Sequence, residues 1–373
     1  MKPVKVLLVD DSLFMRNALR KMLSTPEIDV VGTALNGEEA VEKNLSLNPD
    51  IILLDIEMPI MNGLVALKHI METNPVPVIM FSSLTKEGAN ETLEALSLGA
   101  VDFVPKQTSV DFNINAYKNE LIEKIIHFGS NAFLRSNLKA RYKKTSPRTT
   151  IQVEPRESKT PIQGNTKYAT PVEPKYKTDR KRPKASDIKI IGIGISTGGP
   201  GSLQEVIPFI NPDIPVPIVI VQHMPPLFTA TLAKRLDQIS TINVKETEDG
   251  EYLKPGTVYI AKAGSQVIVT RKHTIAHTNE PPNQLFNPSV NVLIDSMNKV
   301  YNGDVVGIIM TGMGNDGCAA LTELAKSGGY VISQDIDSCV VAGMPKAVID
   351  AKIAHEIHPL RDIAGTINAL FYR

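Results

Sequence analysis

Residues Ile188 to Gly199 read IKIIGIGISTGG, an apolar β-branched run that breaks at Ser196 into Thr197, Gly198 and Gly199. A run this continuous predicts a strand covered on both faces, which is the condition of a parallel sheet flanked by helices. The glycines tolerate the positive φ of a sharp turn, and the N–H groups that open a following helix face a developing negative charge. Ser196 is therefore a hydroxyl held exposed at a strand's carboxyl end, the place for a nucleophile. Two later strand ends carry His223 and Asp316. The three together suggest a serine hydrolase.

Working outward, apolar runs recur at Ile218 to Gln222, Val258 to Ala261, Val305 to Met310 and Tyr330 to Ser333. Between them, helical stretches fall at Ser202 to Phe209, Phe228 to Ile239, Ser289 to Val300, Cys318 to Ser327 and Met344 to Asp350. Residues 187–373 thus form an α/β domain. The same rhythm occupies the beginning of the chain. Strands are expected at Val4 to Val9, Val30 to Thr33, Ile51 to Leu54, Val76 to Phe81 and Ala100 to Val104, with helices such as Ser12 to Leu23 and Glu38 to Leu47 between them. This is a doubly wound parallel sheet over residues 1–125.

Residues 126–186 hold the end of a helix and then a different composition. From about Arg135 to Lys184 the chain is rich in Lys, Arg, Pro and Thr, including Lys143, Lys144, Lys175, Lys177, Arg180, Lys181 and Arg182, without helical period. A flexible basic tether is expected. Over 373 residues, 40 basic side chains balance 40 acidic ones, so no general attraction to nucleic acid follows. Two cysteines, Cys318 and Cys339, make no disulfide framework and suit a reducing, cytoplasmic setting. No apolar run approaches the roughly 18 residues of a membrane span.

A serine hydroxyl is a weak nucleophile until a base takes its proton, and imidazole titrates near working pH. His223, at the end of the next strand, is the candidate base. Asp316, in TGMGNDG after Val305 to Met310, is the candidate carboxylate to orient the ring and stabilise its cation. Singly, each has a plainer reading: a helix cap for Ser196, a turn histidine before Pro225 and Pro226, and an aspartate steadying a glycine turn. The run also matches a Gly-x-Gly dinucleotide pattern, which calls for a carboxylate ending the next strand. That strand ends instead in Gln222, His223 and Met224.

In the first domain, Asp10 and Asp11 end the first strand, Asp55 the third, and Lys106 follows the fifth. Strand ends of a parallel sheet converge, so these carboxylates share a pocket and need a cation to coexist. Hard oxygen ligands at an open site suit Mg²⁺ and a phosphate. Asp55 is then a phosphate acceptor, with Lys106 neutralising phosphoryl oxygens and Ser82 in reach of one.

The stretches VLLVDDS (6–12), LLDIEMPIMNG (53–63), the Ser82–Ser83 pair and FVPK (103–106) resemble the receiver domain of two-component response regulators, with a flavodoxin-like five-stranded sheet. The resemblance implies phosphate from a histidine kinase, Mg²⁺ on Asp10, Asp11 and Asp55, and a switch sensed through Ser82 and Phe103. Phe103 departs from the hydroxylated aromatic of many receivers, and Asn62 stands where an acidic residue is common. In the second domain GISTGG (194–199), VQHMPPLFT (221–229), GTVYIA (256–261), NPSVNVLIDSM (287–297), MTGMGNDG (310–317) and AGMPKAV (342–348) resemble the Rossmann-like catalytic domain of chemotaxis protein-glutamate methylesterases, the CheB family. That resemblance implies Ser196 as nucleophile, His223 as base, Asp316 as its partner, the Met313 N–H in the oxyanion hole and Thr197 in support, with no cofactor for the ester reaction. It further implies hydrolysis of glutamate methyl esters and deamidation of glutamines on methyl-accepting chemotaxis receptors, and a receiver that restricts access until phosphorylated. A non-catalytic regulator whose second domain binds a partner, or a DNA-binding output, are the other classes; the latter needs a helix-turn-helix that a long Ile/Val-rich sheet does not supply.

Overall fold

The computed structural model describes residues 2–106, 114–132, 134–136, 138, 174–178, 180–282 and 284–372. The chain divides into two compact units, residues 1–155 and 156–373.

The first unit runs β1 (Val4–Val9), α1 (Leu13–Met22), β2 (Ile28–Ala34), α2 (Gly37–Leu47), β3 (Ile51–Asp55), α3 (Gly63–Thr73), β4 (Val78–Ser82), α4 (Lys86–Leu98), β5 (Asp102–Pro105) and α5 (Ile114–Gly129). Its sheet order is β2-β1-β3-β4-β5, every pair parallel. β3 and β4 are buried at every residue because helices cover both faces. Side-chain caps start the helices where the sequence offers them: Ser12, Asn36, Asn62 and Thr85 each accept from an N–H of the first turn. Asn62 therefore has a local structural task.

The second unit runs β6 (Tyr176–Lys177), β7 (Ile190–Ile195), α6 (Gly199–Val206), β8 (Ile218–Gln222), α7 (Phe228–Ile239), β9 (Asn243–Glu246), β10 (Thr257–Ile260), β11 (Gln266–Val269), β12 (Ile275–Thr278), α8 (Val290–Tyr301), β13 (Val305–Ile309), α9 (Cys318–Lys326), β14 (Tyr330–Gln334), α10 (Gly343–Asp350), β15 (Glu356–His358) and α11 (Ile363–Asn368). The main sheet has order β6-β15-β14-β13-β7-β8-β10-β9 and is parallel except where β6 meets β15. β11 and β12 form a separate antiparallel hairpin. From β7 the chain winds one way through β8 and β10, and later the other way from β13 through β14 and β15. The order therefore reverses between β7 and β13, and the crevice beyond their carboxyl ends is where such sheets bind ligands.

Two glycines of the opening motif act in packing. A Cβ built on Gly192 lies 2.5 Å from Ile294 Cδ1, and one on Gly194 lies 2.5 Å from Val290 Cγ1. Both make room for α8 against β7. This close approach is the work of the glycines that read as a dinucleotide pattern. Gly198 has φ +75° and its Cβ position collides with Val340, so the turn after Ser196 does require glycine.

At both ends of the expected tether, described residues make contacts with the folded units. Arg135 forms an ion pair with Asp50 in the first unit, and α5 ends at Gly129, in keeping with the helix end expected after residue 125. Residues 175–178 and 180–182, assigned to the tether from composition, belong to the second unit: Tyr176 and Lys177 pair with Ile357 and Glu356 as an edge strand. Arg182 holds the fully buried Glu356 through two hydrogen bonds of 2.7 Å. Basic residues read as solvated are here partners for buried or edge acids. The tether between these ends, including Lys143 and Lys144, lies outside the described residues. The short strands β6, β9, β11, β12 and β15 were also unexpected, because their two to four residues are too few to show a period. No helix among the described residues is long and apolar enough to cross a membrane.

Candidate active site

Ser196 follows β7, His223 follows β8, and the loop 311–317 follows β13, so three neighbouring strand ends converge. Ser196 N–H donates to Thr311 O (2.9 Å) and His223 N–H to Ile195 O (3.1 Å). Gln222 Nε2 donates to both Ser196 O and His223 O, each at 2.9 Å, tying the two main chains together.

The imidazole is the best-defined part. His223 Nε2 lies 2.8 Å from Asp316 Oδ2, and both side chains are nearly buried. A carboxylate only accepts, so Nε2 carries the proton and Nδ1 presents a lone pair. That Nδ1 is buried and has no hydrogen-bond partner among the described residues. The Ser196 hydroxyl makes no hydrogen bond to the ring among the described residues, so the structure brings their strand ends together without closing this contact. The ring also stacks on Phe286, centroids 3.9 Å apart and planes 5° from parallel.

Asp316 is held by three further hydrogen bonds. Its Oδ1 accepts from Ser289 Oγ (2.9 Å) and Asn291 N–H (3.1 Å), and its Oδ2 accepts from Val290 N–H (2.7 Å). These N–H groups open α8, where the helix dipole favours negative charge. Burial opposes ionisation, but the bond to His223 and the helix N–H groups outweigh it and hold Asp316 below the usual carboxylate range.

The loop bearing Met313 lies against the serine: a Cβ built on Gly312 falls 2.8 Å from Ser196 Cβ. Gly312 is clamped, its N–H donating to Val341 O and its carbonyl accepting from Met344 N–H. The Met313 N–H has no acceptor among the described residues. Thr197 is nearly buried; its carbonyl accepts from Thr311 Oγ1 (3.0 Å), and no hydrogen bond joins its hydroxyl to His223 among the described residues. Cys318 and Cys339 are half-buried and burial raises both thiols, Cys339 to about 12, so neither is an active thiolate.

The first unit gathers its own cluster. Ligand oxygens of Asp10, Asp11 and Asp55 all lie within 4.8 Å of one another, with Asp11 exposed. Lys106 Nζ is 2.6 Å from Asp55 Oδ2 and 3.3 Å from Asp10 Oδ2. Burial raises Asp55 to about 6, against the opposing pull of Lys106. Such carboxylates at an open strand end fit a hard cation. Ser82 Oγ is buried and donates to Gly88 O (3.1 Å), which turns it toward α4, while Phe103 is 6 % exposed.

A family model described as CheB methylesterase matches residues 191–367, and one described as response regulator receiver domain matches residues 6–117. A protein-glutamate methylesterase/protein-glutamine glutaminase of Archaeoglobus fulgidus is 43% identical over 371 residues, covering 98% of this chain and 97% of its own. One of Nitratidesulfovibrio vulgaris is 44% identical over 374 residues, covering 99% and 100%. The chain belongs to the CheB methylesterase family. Among solved structures, the catalytic domain of Thermotoga maritima CheB methylesterase is 40% identical, covering 49% of this chain and 98% of its own with TM-score 0.48. The response regulator domain of Thermotoga maritima CheB is 49% identical, covering 35% and 98%, with TM-score 0.32. Membership in this family joins a receiver to an esterase domain in one enzyme, and disfavours a non-catalytic output.

Sequence reasoning missed Gln222, Gln266, Phe286, Ser289 and Asn291. The last three lie in or beside NPSVNVLIDSM, so a signal was present. Their chemistry was not legible because each acts on a residue remote in sequence.

Proposed function

We propose that the chain is a phosphorylation-responsive esterase that hydrolyses glutamate γ-methyl esters, and deamidates glutamines, on chemotaxis receptors. The observation that carries this reading is the lone-pair nitrogen of His223, buried without a partner among the described residues, on the strand end next to that of Ser196. In the first half-reaction Ser196 Oγ attacks the ester carbonyl carbon as its proton passes to Nδ1. The imidazolium formed is stabilised by Asp316. The tetrahedral oxyanion accepts a hydrogen bond from Met313 N–H. Collapse breaks the C–O bond to methoxide, which leaves as methanol with the proton from Nδ1. Water then attacks the glutamyl–Ser196 ester and gives its proton to Nδ1, and the C–Oγ bond breaks as Nδ1 returns that proton to Ser196 Oγ, releasing glutamate and regenerating the serine hydroxyl. With a glutamine the leaving group is ammonia, and every other step is unchanged. Thr197 supports the turn through its carbonyl.

In the receiver, Asp55 is the acceptor of a phosphoryl group from a chemotaxis histidine kinase, and Lys106 neutralises its oxygens. Asp10, Asp11 and Asp55 would hold Mg²⁺, which supplies further positive charge there. Ser82 and Phe103 are the proposed switch residues; Ser82 exchanges its bond to Gly88 O for one to the phosphoryl group. Methanol release from methylated receptor, with and without a small phosphodonor, tests the reading. Ser196→Ala should abolish release and leave receiver phosphorylation intact. Release that survives in Ser196→Ala would remove the serine from this role.

A further inference from the structure

The His223 ring has an edge, a face and a free nitrogen. Asp316 holds the edge at 2.8 Å, but one hydrogen bond leaves the ring free to pivot about the N–H···O axis. A pivot changes the direction in which the Nδ1 lone pair points. Phe286 removes that freedom by lying 3.9 Å from the ring and 5° from parallel to it. A π face against the ring also favours the imidazolium over the neutral base. Phe286 therefore acts on the step in which the proton leaves Ser196.

Phe286 does not hang loose in its loop. Gln266, 1% exposed, donates from Nε2 to Phe286 O (2.7 Å) and Asn287 Oδ1 (2.5 Å). Its Oε1 accepts from Ser289 N–H (2.9 Å), which fixes the amide orientation, since that oxygen must face the donor. Ser289 in turn bonds Asp316 through its hydroxyl. One buried amide thus anchors both restraints on the imidazole, the stacked face and the bonded edge. The hairpin β11–β12, which stands outside the main sheet, delivers that amide. Leu285, the neighbour of Phe286 in the chain, is 81% exposed and serves as a control.

We propose that Phe286 is a positioning residue for His223, hung together with Asp316 on Gln266, and that it sets the ring plane and stabilises the imidazolium. The inference rests on Ser196 and His223 being the reacting pair. Its test uses the full chain with two readouts: methanol release from methylated receptor, resolved into kcat and KM, and the rate at which a small fluorophosphonate labels Ser196. The small probe needs the activated serine but no receptor docking. Phe286→Leu should lower kcat and labelling together by about tenfold with KM little changed. Phe286→Tyr, which keeps the ring, should restore both to within about threefold. Gln266→Leu should reproduce the paired loss, and Leu285→Ala should label at the parent rate. If Phe286→Leu is poorly folded, Phe286→Met carries the same expectation. Unchanged labelling in a folded leucine or methionine variant, or a rise in KM alone, overturns the proposal and makes Phe286 a receptor contact. Absence of methanol release from the parent protein would instead remove the receptor-ester reading, while the labelling comparison would still decide the role of Phe286.

Discussion

In the proposed mechanism His223 accepts the serine proton only if its own proton sits on Nε2, and the carboxylate of Asp316, 2.8 Å away, favours that tautomer. Asp316→Asn presents an amide that can donate, so the ring adopts the other tautomer and Nδ1 is no longer a lone pair. Methanol release should fall by about ten-thousandfold with the fold intact, checked by initial rates beside a thermal melt. The assignment is the reverse of the protease template, in which Nδ1 meets the aspartate. Gly312 offers a second test at this scale. Its missing Cβ would collide with Met344 Sδ and lie 2.8 Å from Ser196 Cβ, so Gly312→Ala must move either the thioether or the serine. We expect a loss in kcat of about tenfold or more with stability changed by only about 1–2 kcal/mol, measured by rate and denaturant midpoint.

At the scale of elements, β6 is a two-residue strand paired with β15, and Arg182, a few residues further along the chain, bonds the Glu356 side chain of that same strand. Arg182 donates to Glu356 from Nε and Nη2, each at 2.7 Å, and Tyr330 and His358 add hydrogen bonds at 3.0 and 2.9 Å. Burial works against ionising Glu356, but His358 and Arg182 outweigh it and depress the carboxyl from 4.5 to about 2. A depressed acid stabilises the fold above its unfolded pKa and loses that contribution as pH falls through the folded value. The second unit should therefore weaken between about pH 4.5 and pH 2, by an order of 3 kcal/mol from this group, seen as a falling Tm. Arg182→Ala strands a buried carboxylate and should cost about 3 kcal/mol at neutral pH, with a smaller penalty in acid as Glu356 takes up a proton. Lys175, half-exposed against Asp335 and Asp337, should matter far less.

For the whole molecule, the proposed function places separable chemistry in the two units. Only the first gathers three carboxylates in metal-binding range among the described residues, and the second needs none for its proposed steps. A chelator should abolish labelling of Asp55 by a small phosphodonor while basal methanol release persists. Asp55→Asn should lose stimulation by that phosphodonor. Both are read by comparing methanol release with phosphate incorporation. If chelation also ended basal release, the separation of the two sites would fail.

The alternation of buried strands and helices was legible along most of the chain, because continuous Ile/Val runs such as Ile188 to Ile195 and Ile51 to Leu54 have few other structures open to them. So was the presence of Ser196, His223, Asp316, Asp10, Asp55 and Lys106 at strand ends, since a run's last apolar residue marks where the sheet stops. What tertiary structure alone decided is who stands next to whom. β13 lies beside β7 although more than a hundred residues of chain separate them, and that pairing puts the Asp316 loop against Ser196. The tautomer of His223, the stack of Phe286, the fork of Gln266 and the docking of Arg182 depend on such pairings. Periodicity is a property of neighbours in sequence, whereas a hydrogen bond forms between neighbours in space, so the elements could be read from the residues and the site's working geometry could not.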